Sequence, residues 1–466
     1  MTSDFDLVVL GAGPGGYVAA IRAAQLGLRT AIVEERWWGG VCLNLGCVPT
    51  KALLRNAELV QTLTSQGPAL GLTGQFSFDY GQAFKRSRAV SERMVKGVHF
   101  LMRKNRVTQF EGRGEFVDAG RLTVADGDQP DRTIAFTNCV IATGAVPKAG
   151  PPVEPGPRVV TYAEQIMASE LPASIVICGA GPIGVEFAYI LAGYGVEVTL
   201  VEGLDRLLPG EDREVSAELA KAYRKLGIKL MTGWSVESIS QDQRSARVTV
   251  RPRAGGPTVE LEADRVLLSL GFTPRTEGYG LERTGVELTE RGAIAVDDRM
   301  RTSVAGLYAV GDVTGQLMLA HVAQAQAQVA AETMASRQSF PIDYEMAPRA
   351  TYCQPQVASF GHTEERARAL GHAVKVSKFP FAANAKAWGL GEATGFVKIV
   401  ADAQRGEILG AHLVGPDVSE LLPELTLAQL WDLTAEEVGR NIHLHPSLSE
   451  ALKEAAEGVS GPMVNF

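Results

Sequence analysis

Two cysteines stand close together in the segment GGVCLNLGCVPTK, residues 39–51. Cys42 and Cys47 are five positions apart, whereas the other cysteines of the chain are scattered, at Cys139, Cys178 and Cys353. We interpret the scattered cysteines as inert buried thiols. The close pair could bind a metal, form a disulfide or be inert, and it is the first place where this sequence could carry chemistry.

A structural zinc ion is disfavoured at this pair, because zinc needs four ligands and the sequence has no second close cysteine pair. In a regular helix, residues five apart have Cα atoms about 8.6 Å from each other, and disulfides rarely tolerate more than about 7 Å. The chain must therefore be irregular here if the pair is to oxidise, and Gly46 and Pro49 can supply the irregularity. Such a short bridge would be easily reduced, which suits a redox-active disulfide. Two inert thiols in a turn remain the alternative.

Two segments of the chain, residues 6–35 and 174–203, resemble each other in sequence. One lies before the cysteine pair and the other after it. Each reads as a β-branched strand, a glycine-rich turn, a helix of small residues and a second strand that ends in an acid, which predicts a βαβ unit. The G-x-G-x-x-G glycines are Gly11, Gly13 and Gly16 in the first copy and Gly179, Gly181 and Gly184 in the second.

The acids of the two copies are Glu34 and Glu202, each 23 residues beyond the first glycine of its copy. The glycines let the backbone approach a pyrophosphate at the helix N-terminus, and the acid binds ribose hydroxyls. Two copies with the same spacing predict that the protein binds two dinucleotides.

The sequence indicates in part which dinucleotide binds at each site. Glu202 would repel a 2′-phosphate, which favours NAD over NADP at the second site. A flavin can take two electrons from a thiolate pair and pass a hydride to a nicotinamide, so FAD at the first site would link a dithiol to NAD. Lys51 follows the cysteine pair, where its charge could stabilise a thiolate or a reduced flavin ring.

Length and composition narrow the class of protein. With 466 residues the chain is long enough for several domains, and it is not a small disulfide-stapled scaffold. Its formal net charge of −8 argues against a general nucleic-acid binder, and no apolar run is long enough to span a membrane. The N-terminal sequence lacks a signal-peptide pattern, which predicts a cytoplasmic location. The basic segment 84–107 is interpreted as a solvated helix face.

The whole chain resembles the pyridine nucleotide-disulfide oxidoreductases, and within them the class I members that oxidise dihydrolipoamide. Besides the two fingerprints, the motifs that carry the resemblance are GGVCLNLGCVPTKALL (39–54), ATG (142–144), GLYAVGDV (306–313), LAHVAQAQ (319–326) and HLHPSLSE (443–450). The departures are Phe272 and Arg275, where many relatives have Arg and Asn, and Thr50, which is often Ser. None of these departures touches the chemistry that the resemblance implies.

The resemblance implies an α/β fold with two Rossmann-like dinucleotide-binding domains and a C-terminal α+β dimerisation domain. The implied segments are 1–147 for the first part of the FAD-binding domain, 148–272 for the NAD-binding domain, 273–343 for a central part that completes the FAD site, and 344–466 for the dimerisation domain. The implied protein is a homodimer that works with the lipoyl-bearing acyltransferase of 2-oxo acid dehydrogenase complexes.

The resemblance also implies roles for particular residues. Cys42 would exchange with the lipoyl sulfur, and Cys47 would face the flavin. His445, oriented by Glu450, would be the acid/base, reaching the active site from the other subunit; a histidine suits a base that works near neutral pH. The further FAD residues would be Glu34, Lys51, Gly144, Asp312 and Ala320, and the further NAD residues would be Glu186, Glu202 and Gly271.

The implied activity is oxidation of protein-bound dihydrolipoamide to lipoamide with reduction of NAD+ to NADH, within cell redox homeostasis. Among relatives, mercuric reductase is disfavoured because the chain ends in GPMVNF without a vicinal cysteine pair, and glutathione reductase because Glu202 stands where basic residues would bind NADPH. The soluble transhydrogenase would lack the cysteine pair. A non-catalytic scaffold is the alternative of another class, and the presence of both fingerprints, the pair and the base disfavours it.

Overall fold

The computed structural model describes residues 3–126, 131–148, 150, 151, 153 and 156–466. The chain forms two compact units. The first unit comprises Met1–Ala52, Phe84–Ala149 and Gly271–Tyr344, and the second comprises Leu53–Ala83, Gly150–Leu270 and Glu345–Phe466. The segment boundaries given above for four domains stay a prediction.

The first unit is built on a seven-stranded sheet. Phe5–Leu10 lies at its centre, parallel to Thr30–Glu34 on one side and Arg132–Ile141 on the other. Val8 and Val9 are fully buried, as expected for a parallel strand covered on both faces. The other strands are Thr108–Glu111, Arg113–Asp118, Arg121–Ala125 and Leu307–Ala309, with a separate two-stranded pair formed by Ala145–Pro147 and Phe272–Pro274.

Helices of the first unit pack against this sheet. Pro14–Gln25 begins with proline at its first position, which suits a helix start because that N–H has no helical partner. It packs with Ala320–Met334 through alanine-rich faces that bury Ala19, Ala23 and Ala327. The remaining helical segments are Gly40–Asn44, Leu281–Arg283 and Gly311–Thr314, together with Cys47–Gln61 and Tyr80–Lys104, each of which belongs partly to each unit.

The second unit contains a parallel five-stranded sheet that repeats the pattern of the first. In spatial order its strands are Lys229–Thr232, Glu197–Glu202, Ser174–Cys178, Arg265–Leu268 and Val159–Thr161. An antiparallel three-stranded sheet accompanies it, formed by Trp234–Gln241, Ala246–Pro252 and Val259–Ala263. The helices of this part are Tyr162–Ile166, Pro182–Gly193 and Arg213–Lys225, with a π-helical turn at Thr62–Gln66.

The C-terminal part of the second unit is an antiparallel five-stranded sheet covered by helices. Its strands in spatial order are Arg349–Thr351, Gln356–Gly361, Ile408–Gly415, Phe396–Asp402 and Val374–Pro380. Its helical segments are Glu364–Ala369, Phe381–Ala383, Ala385–Leu390, Val418–Leu430, Ala435–Arg440 and Glu450–Ser460. A mixed sheet with a parallel centre, a second, parallel sheet and a C-terminal α+β part confirm the predicted fold class. Among the described residues, no helix combines the length and the apolar character that crossing a membrane requires.

A buried ion-pair cluster lies inside the second unit. Lys398, on the strand Phe396–Asp402, has a side chain only 3 % exposed. Its Nζ lies 3.0 Å from an oxygen of Asp212, 2.7 Å from Glu214 and 3.2 Å from Glu364. Asp212 is also buried and caps the helix Arg213–Lys225 by accepting the Glu214 N–H. The lysine therefore neutralises carboxylates on two neighbouring helices.

Replacing Lys398 with methionine is expected to destabilise the protein by about 3–5 kcal/mol, because the Asp212 carboxylate is then buried without its counter-charge. The measurement is the free energy of unfolding from denaturant titration. Lys378→Met is the matched control, since Lys378 pairs with the same Glu214 while both side chains are nearly half exposed. Its expected cost is about 1 kcal/mol or less. Equal losses in the two variants would contradict the assignment of the effect to burial.

Candidate active site

The first glycine fingerprint forms a tight turn between the central strand and the helix Pro14–Gln25. Gly11 has φ +102°, and a Cβ there would lie 2.4 Å from the carbonyl oxygen of Ala142. A Cβ at Gly16 would lie 1.8 Å from the Gly11 oxygen. At Gly13, by contrast, the nearest atom to a Cβ would be the Gly40 Cα, at 3.8 Å. The chain's own packing therefore requires the first and third glycines, but not the middle one.

The second fingerprint repeats this geometry. Gly179 has φ +106°, and a Cβ at Gly184 would lie 1.9 Å from the Gly179 oxygen. A Cβ at Gly181 would meet no heavy atom within 4 Å. Neither middle glycine is therefore required by a close approach within the chain, and each stands directly before a helix that begins with proline. A small residue beside the N–H groups of a helix N-terminus lets a pyrophosphate approach, so both turns suit a dinucleotide.

The two acids are held in the same way. Glu34 accepts the Ala12 N–H at 2.7 Å with one oxygen, and the N–H groups of Arg36 and Trp37 at 2.9 Å with the other. Glu202 accepts the N–H groups of Ala180 and Leu204, each at 2.8 Å. Ala12 and Ala180 occupy the same position in the two fingerprints. Each carboxylate is therefore fixed at the edge of its glycine turn, where a ribose would reach it.

The chain does not form one regular helix through Cys42 and Cys47, as a disulfide between them would require. Cys42 lies in the five-residue helix Gly40–Asn44, and a new helix begins at Cys47. Between the helices, a Cβ at Gly46 would lie 3.1 Å from the Val41 oxygen and 3.5 Å from the Cys42 Cα. The predicted break is thus confirmed, and glycine permits the close approach that returns the chain to Cys42.

The two cysteines are thiols in direct contact. The hydrogen bond with Cys47, burial of the side chain and the Cys47 charge together raise the pKa of Cys42, although Lys51 acts in the opposite direction. Cys47 stands at the first position of its helix, where the N–H groups and the helix dipole favour an anion. Cys47 is exposed and Cys42 is partly buried. The pair can therefore exchange between a dithiol and a short disulfide.

The cysteine segment also touches the first fingerprint directly. A Cβ at Gly40 would lie 2.5 Å from the Gly13 Cα, and the Gly39 N–H donates to the Ala12 oxygen at 2.9 Å. The structure thus brings the thiol pair and a dinucleotide turn together within one unit. Electron transfer between a thiol and a bound cofactor needs that proximity.

Asp312 lies in the turn Gly311–Thr314 of the same unit. Burial raises the pKa of Asp312 to about 6. Among the described residues, its carboxyl group has no hydrogen-bond partner. Asp312 is partly buried, and a desolvated carboxyl group of this kind fits hydroxyl groups of a ligand such as the ribityl chain of FAD.

The remaining residues predicted for FAD belong to the first unit as well. Lys51 lies in the helix that begins at Cys47, and its positive charge acts on Cys42. Ala320 is the first residue of the helix Ala320–Met334, whose N–H groups are available to an anion. Gly144 has φ +76° after the strand Arg132–Ile141. Their contacts with FAD stay predictions.

The further residues predicted for NAD are Glu186 and Gly271, and their contacts with NAD stay predictions. Glu186 is buried on the helix Pro182–Gly193 and accepts the Tyr352 N–H at 2.9 Å. Gly271, with φ +100°, belongs to the first unit. Sequence reasoning did not find the role of Tyr352, because its contribution is a backbone group that any residue could supply.

The predicted acid/base pair lies at the C-terminal end of the second unit. His445 Nδ1 is 2.8 Å from Glu450 Oε1, and the Ser447 N–H donates to Oε2 at 2.9 Å. Burial alone would raise the pKa of Glu450, but the bonds from Ser447 and His445 hold it below its usual value. The carboxylate therefore stays ionised at neutral pH and can support an imidazolium.

The exposure of the two neighbouring histidines differs sharply. The side chain of His445 is 74 % exposed, whereas that of His443 is 3 % exposed. His443 lies 3.1 Å from Glu424 and 3.0 Å from the Asn441 oxygen, so its ring is held inside the unit. Of the two, His445 is the one that can meet an external reactant. Among the described residues, no cluster of His, Cys, Asp and Glu side chains could hold a metal ion.

Comparison with known protein families gives two matches that together span most of the chain. A family profile described as pyridine nucleotide-disulphide oxidoreductase matches residues 5–327. The dimerisation domain of the same family matches residues 347–456.

Curated relatives are similar over their whole length. The dihydrolipoyl dehydrogenase of Mycobacterium tuberculosis is 57 % identical, with 99 % of each chain covered. That of Corynebacterium glutamicum is 54 % identical and that of Bacillus subtilis 41 % identical, with 100 % of each chain covered in both cases.

Among solved structures, LpdA from Mycobacterium tuberculosis superposes with a TM-score of 0.90 at 28 % identity, covering 97 % of this chain and 98 % of that one. The HOCl-induced flavoprotein disulfide reductase RclA from Escherichia coli gives a TM-score of 0.86 at 27 % identity, covering 97 % of this chain and 99 % of that one.

Proposed function

Because the chain belongs to the pyridine nucleotide-disulphide oxidoreductase family, we propose that it oxidises dihydrolipoamide to lipoamide and reduces NAD+ to NADH. It is an NAD-dependent oxidoreductase that contains FAD, as the fingerprints predicted. The observation that carries the proposal is the contact of the Cys42 helix with the first fingerprint turn, where Gly40 meets Gly13. A redox-active thiol pair built onto a dinucleotide turn distinguishes this activity from that of a pure scaffold.

When bound, FAD supplies a two-electron carrier between the thiol pair and the nicotinamide. The residues of the chain bind and orient it through Glu34, Asp312 and the N-terminus of the helix that begins at Pro14. The second fingerprint and Glu202 hold the adenosine half of NAD. Glu186, on the helix Pro182–Gly193 that begins in this fingerprint, serves the nicotinamide half. The position of both middle glycines at the starts of helices, with open space at Gly181, supports these assignments.

The substrate reaction is a thiol–disulfide exchange. His445 takes a proton from one thiol of dihydrolipoamide, and the resulting thiolate attacks the Cys42 sulfur of the Cys42–Cys47 disulfide. The second substrate thiol then displaces Cys42 and forms the disulfide of lipoamide. Two electrons thereby move from the substrate to the pair. Cys47 leaves as a thiolate at a helix start that suits an anion, one substrate proton stays on His445, and the other passes to the displaced Cys42.

Assembly and location follow from the same role. The chain carries the family's dimerisation domain at residues 347–456. We propose a homodimer in which His445 of one subunit serves the cysteine pair of the other, and a lipoyl-bearing acyltransferase of a 2-oxo acid dehydrogenase complex as the partner. We propose a cytoplasmic location, which suits a chain whose Cys139, Cys178 and Cys353 are buried and not paired with one another.

The experiment that tests the proposal mixes the purified yellow protein with NAD+ and dihydrolipoamide, with NADP+ in a parallel reaction. NADH formation with NAD+ and little reaction with NADP+ is the expected result. A control with reduced glutathione in place of dihydrolipoamide separates a vicinal dithiol substrate from thiols in general. A flavoprotein that reduces neither nucleotide would contradict the substrate assignment while leaving the fold intact.

The nucleotide preference has its own test in Glu202→Gln. The amide keeps a hydrogen-bond acceptor but removes the negative charge, so kcat/KM for NADP+ is expected to rise by roughly tenfold or more relative to NAD+, since like charges a few Å apart repel by a few kcal/mol. Glu197→Gln is the matched control, because Glu197 is exposed at the opposite end of the same strand. If kcat/KM for NADP+ relative to NAD+ were unchanged in Glu202→Gln, Glu202 would not determine the nucleotide preference.

A further inference from the structure

The basic helix Tyr80–Lys104 is not wholly a solvated face. Arg88 on this helix donates a hydrogen bond from Nη1 to the backbone oxygen of Asn44 at 2.6 Å. Asn44 is the last residue of the short helix Gly40–Asn44, which carries Cys42. Arg88 is partly buried, whereas Lys85, Arg86 and Arg93 of the same helix are exposed, so Arg88 differs from these basic neighbours. Its contact ties the basic helix to the cysteine segment.

The short helix has a separate anchor at its other end. The Gly39 N–H donates to the Ala12 oxygen, and Gly40 packs on Gly13 of the fingerprint. The Asn44 side chain reaches back along the helix, where its Nδ2 donates at 2.9 Å to the oxygens of Trp38 and Gly40. The fingerprint therefore fixes the start of the helix, and Arg88 holds its end.

The end of this helix leads almost directly into the second cysteine of the pair. A helix of five residues has little stability of its own, and its last carbonyl groups lack helical partners. A guanidinium at a helix C-terminus satisfies such a carbonyl and complements the helix dipole. Only Leu45 and Gly46 separate Asn44 from Cys47. A shift of the Asn44 carbonyl therefore changes how Cys47 returns to Cys42.

We propose that Arg88 is a positioning residue that sets the oxidation equilibrium of the Cys42–Cys47 pair by holding the Asn44 carbonyl. This inference rests on the proposed function, since it requires a redox-active pair. The contact through which Arg88 acts is its bond to the Asn44 carbonyl. It favours the disulfide by keeping the two thiols in hydrogen-bond contact, so that ring closure costs little ordering of the chain.

The test equilibrates the holoenzyme with buffers of oxidised and reduced glutathione. In this exchange, the pair gives two electrons and two protons to one oxidised glutathione, which becomes two reduced molecules, and the Cys42–Cys47 bond forms. Alkylation of the remaining thiols followed by mass spectrometry gives the oxidised fraction. Arg88→Met is expected to make disulfide formation about tenfold less favourable, which corresponds to about 30 mV for a two-electron couple.

Two further variants keep the test specific. Arg88→Lys retains a donor and a positive charge, and its equilibrium is expected within about threefold of the original protein. Arg103→Met removes an exposed charge from the last turn of the same helix and is expected to leave the equilibrium unchanged. A general loss of stability in Arg88→Met would lower the melting temperature without moving the thiol equilibrium.

The outcomes distinguish a failure of the proposed function from a failure of the role proposed for Arg88. If the original protein forms no Cys42–Cys47 disulfide at any glutathione ratio, both the proposed function and the role of Arg88 are overturned. If it does, but Arg88→Met oxidises at the same ratio, only the role of Arg88 is overturned. A lysine variant no better than the methionine variant, or an equal shift in Arg103→Met, also counts against the positioning role.

Discussion

Replacing Cys47 with serine is expected to abolish oxidation of dihydrolipoamide while leaving FAD bound. A serine hydroxyl at the helix start cannot form a disulfide with Cys42, so the pair has no oxidised form that a substrate thiolate could attack. Turnover should fall by roughly 10⁴-fold or more, the scale on which enzymes respond to loss of a covalent group. The measurements are NADH formation from dihydrolipoamide and the flavin absorbance of the purified protein.

Thr50→Ser is the matched control for this variant. The Thr50 hydroxyl donates to the Gly46 oxygen at 2.7 Å, beside the break between the two cysteine helices, and serine can make the same bond. Its activity is expected to remain near that of the original protein. Cys42→Ser should be as inactive as Cys47→Ser but should retain a thiolate beside the flavin, with its charge-transfer absorbance. Retained turnover in Cys47→Ser would overturn the proposed exchange reaction.

The sequence was most informative where geometry leaves few choices. The spacing of the glycines and acids predicted two dinucleotide turns, and the structure gives both copies the same φ angles, the same close approaches and the same carboxylate anchors. The separation of Cys42 and Cys47 predicted a break in the helix, because five helical residues span too great a distance. These constraints act between residues close together in the sequence, so they can be predicted without knowledge of the fold.

The contributions that the sequence did not reveal depend on residues far apart in the chain. Lys398 is buried because strands and helices distant in sequence bring Asp212, Glu214 and Glu364 around it. Arg88 sits in a basic segment whose charge pattern predicts a solvated face, and only the packing of two helices shows that it holds Asn44. The sequence does not distinguish a charged residue on the solvent-exposed surface from one in a buried contact, so its role can be assigned only from the folded structure.

The acid/base assignment falls between these cases. The motif HLHPSLSE contains two histidines, and nothing in their spacing decides which one reacts. The structure separates them by burial, since His443 is enclosed beside Glu424 while His445 is exposed and bonded to Glu450. Exposure at the C-terminal end of the chain is consistent with a base that serves a partner subunit.

His445→Gln is expected to lower turnover with dihydrolipoamide by about 10²–10⁴-fold, the usual contribution of a positioned general base. Glutamine can still bond to Glu450, but it cannot take a proton from the substrate thiol. The loss should shrink as the pH rises toward the pKa of that thiol, because the substrate then supplies its own thiolate. The measurement is the pH profile of kcat, beside the rate at which NADH reduces an artificial acceptor that bypasses the cysteine pair.

Glu450→Gln provides the graded comparison for this variant. The amide can hold the His445 ring but lacks the negative charge that supports an imidazolium, so a smaller loss of about tenfold to a hundredfold is expected. His443→Gln tests the alternative base and should affect stability more than the pH profile, because that ring is buried. If His443→Gln reproduced the pH-dependent loss and His445→Gln did not, the base would have to be reassigned. The acceptor reaction should stay unchanged in both His445→Gln and Glu450→Gln, since it requires the flavin and NAD sites but no proton transfer from a thiol.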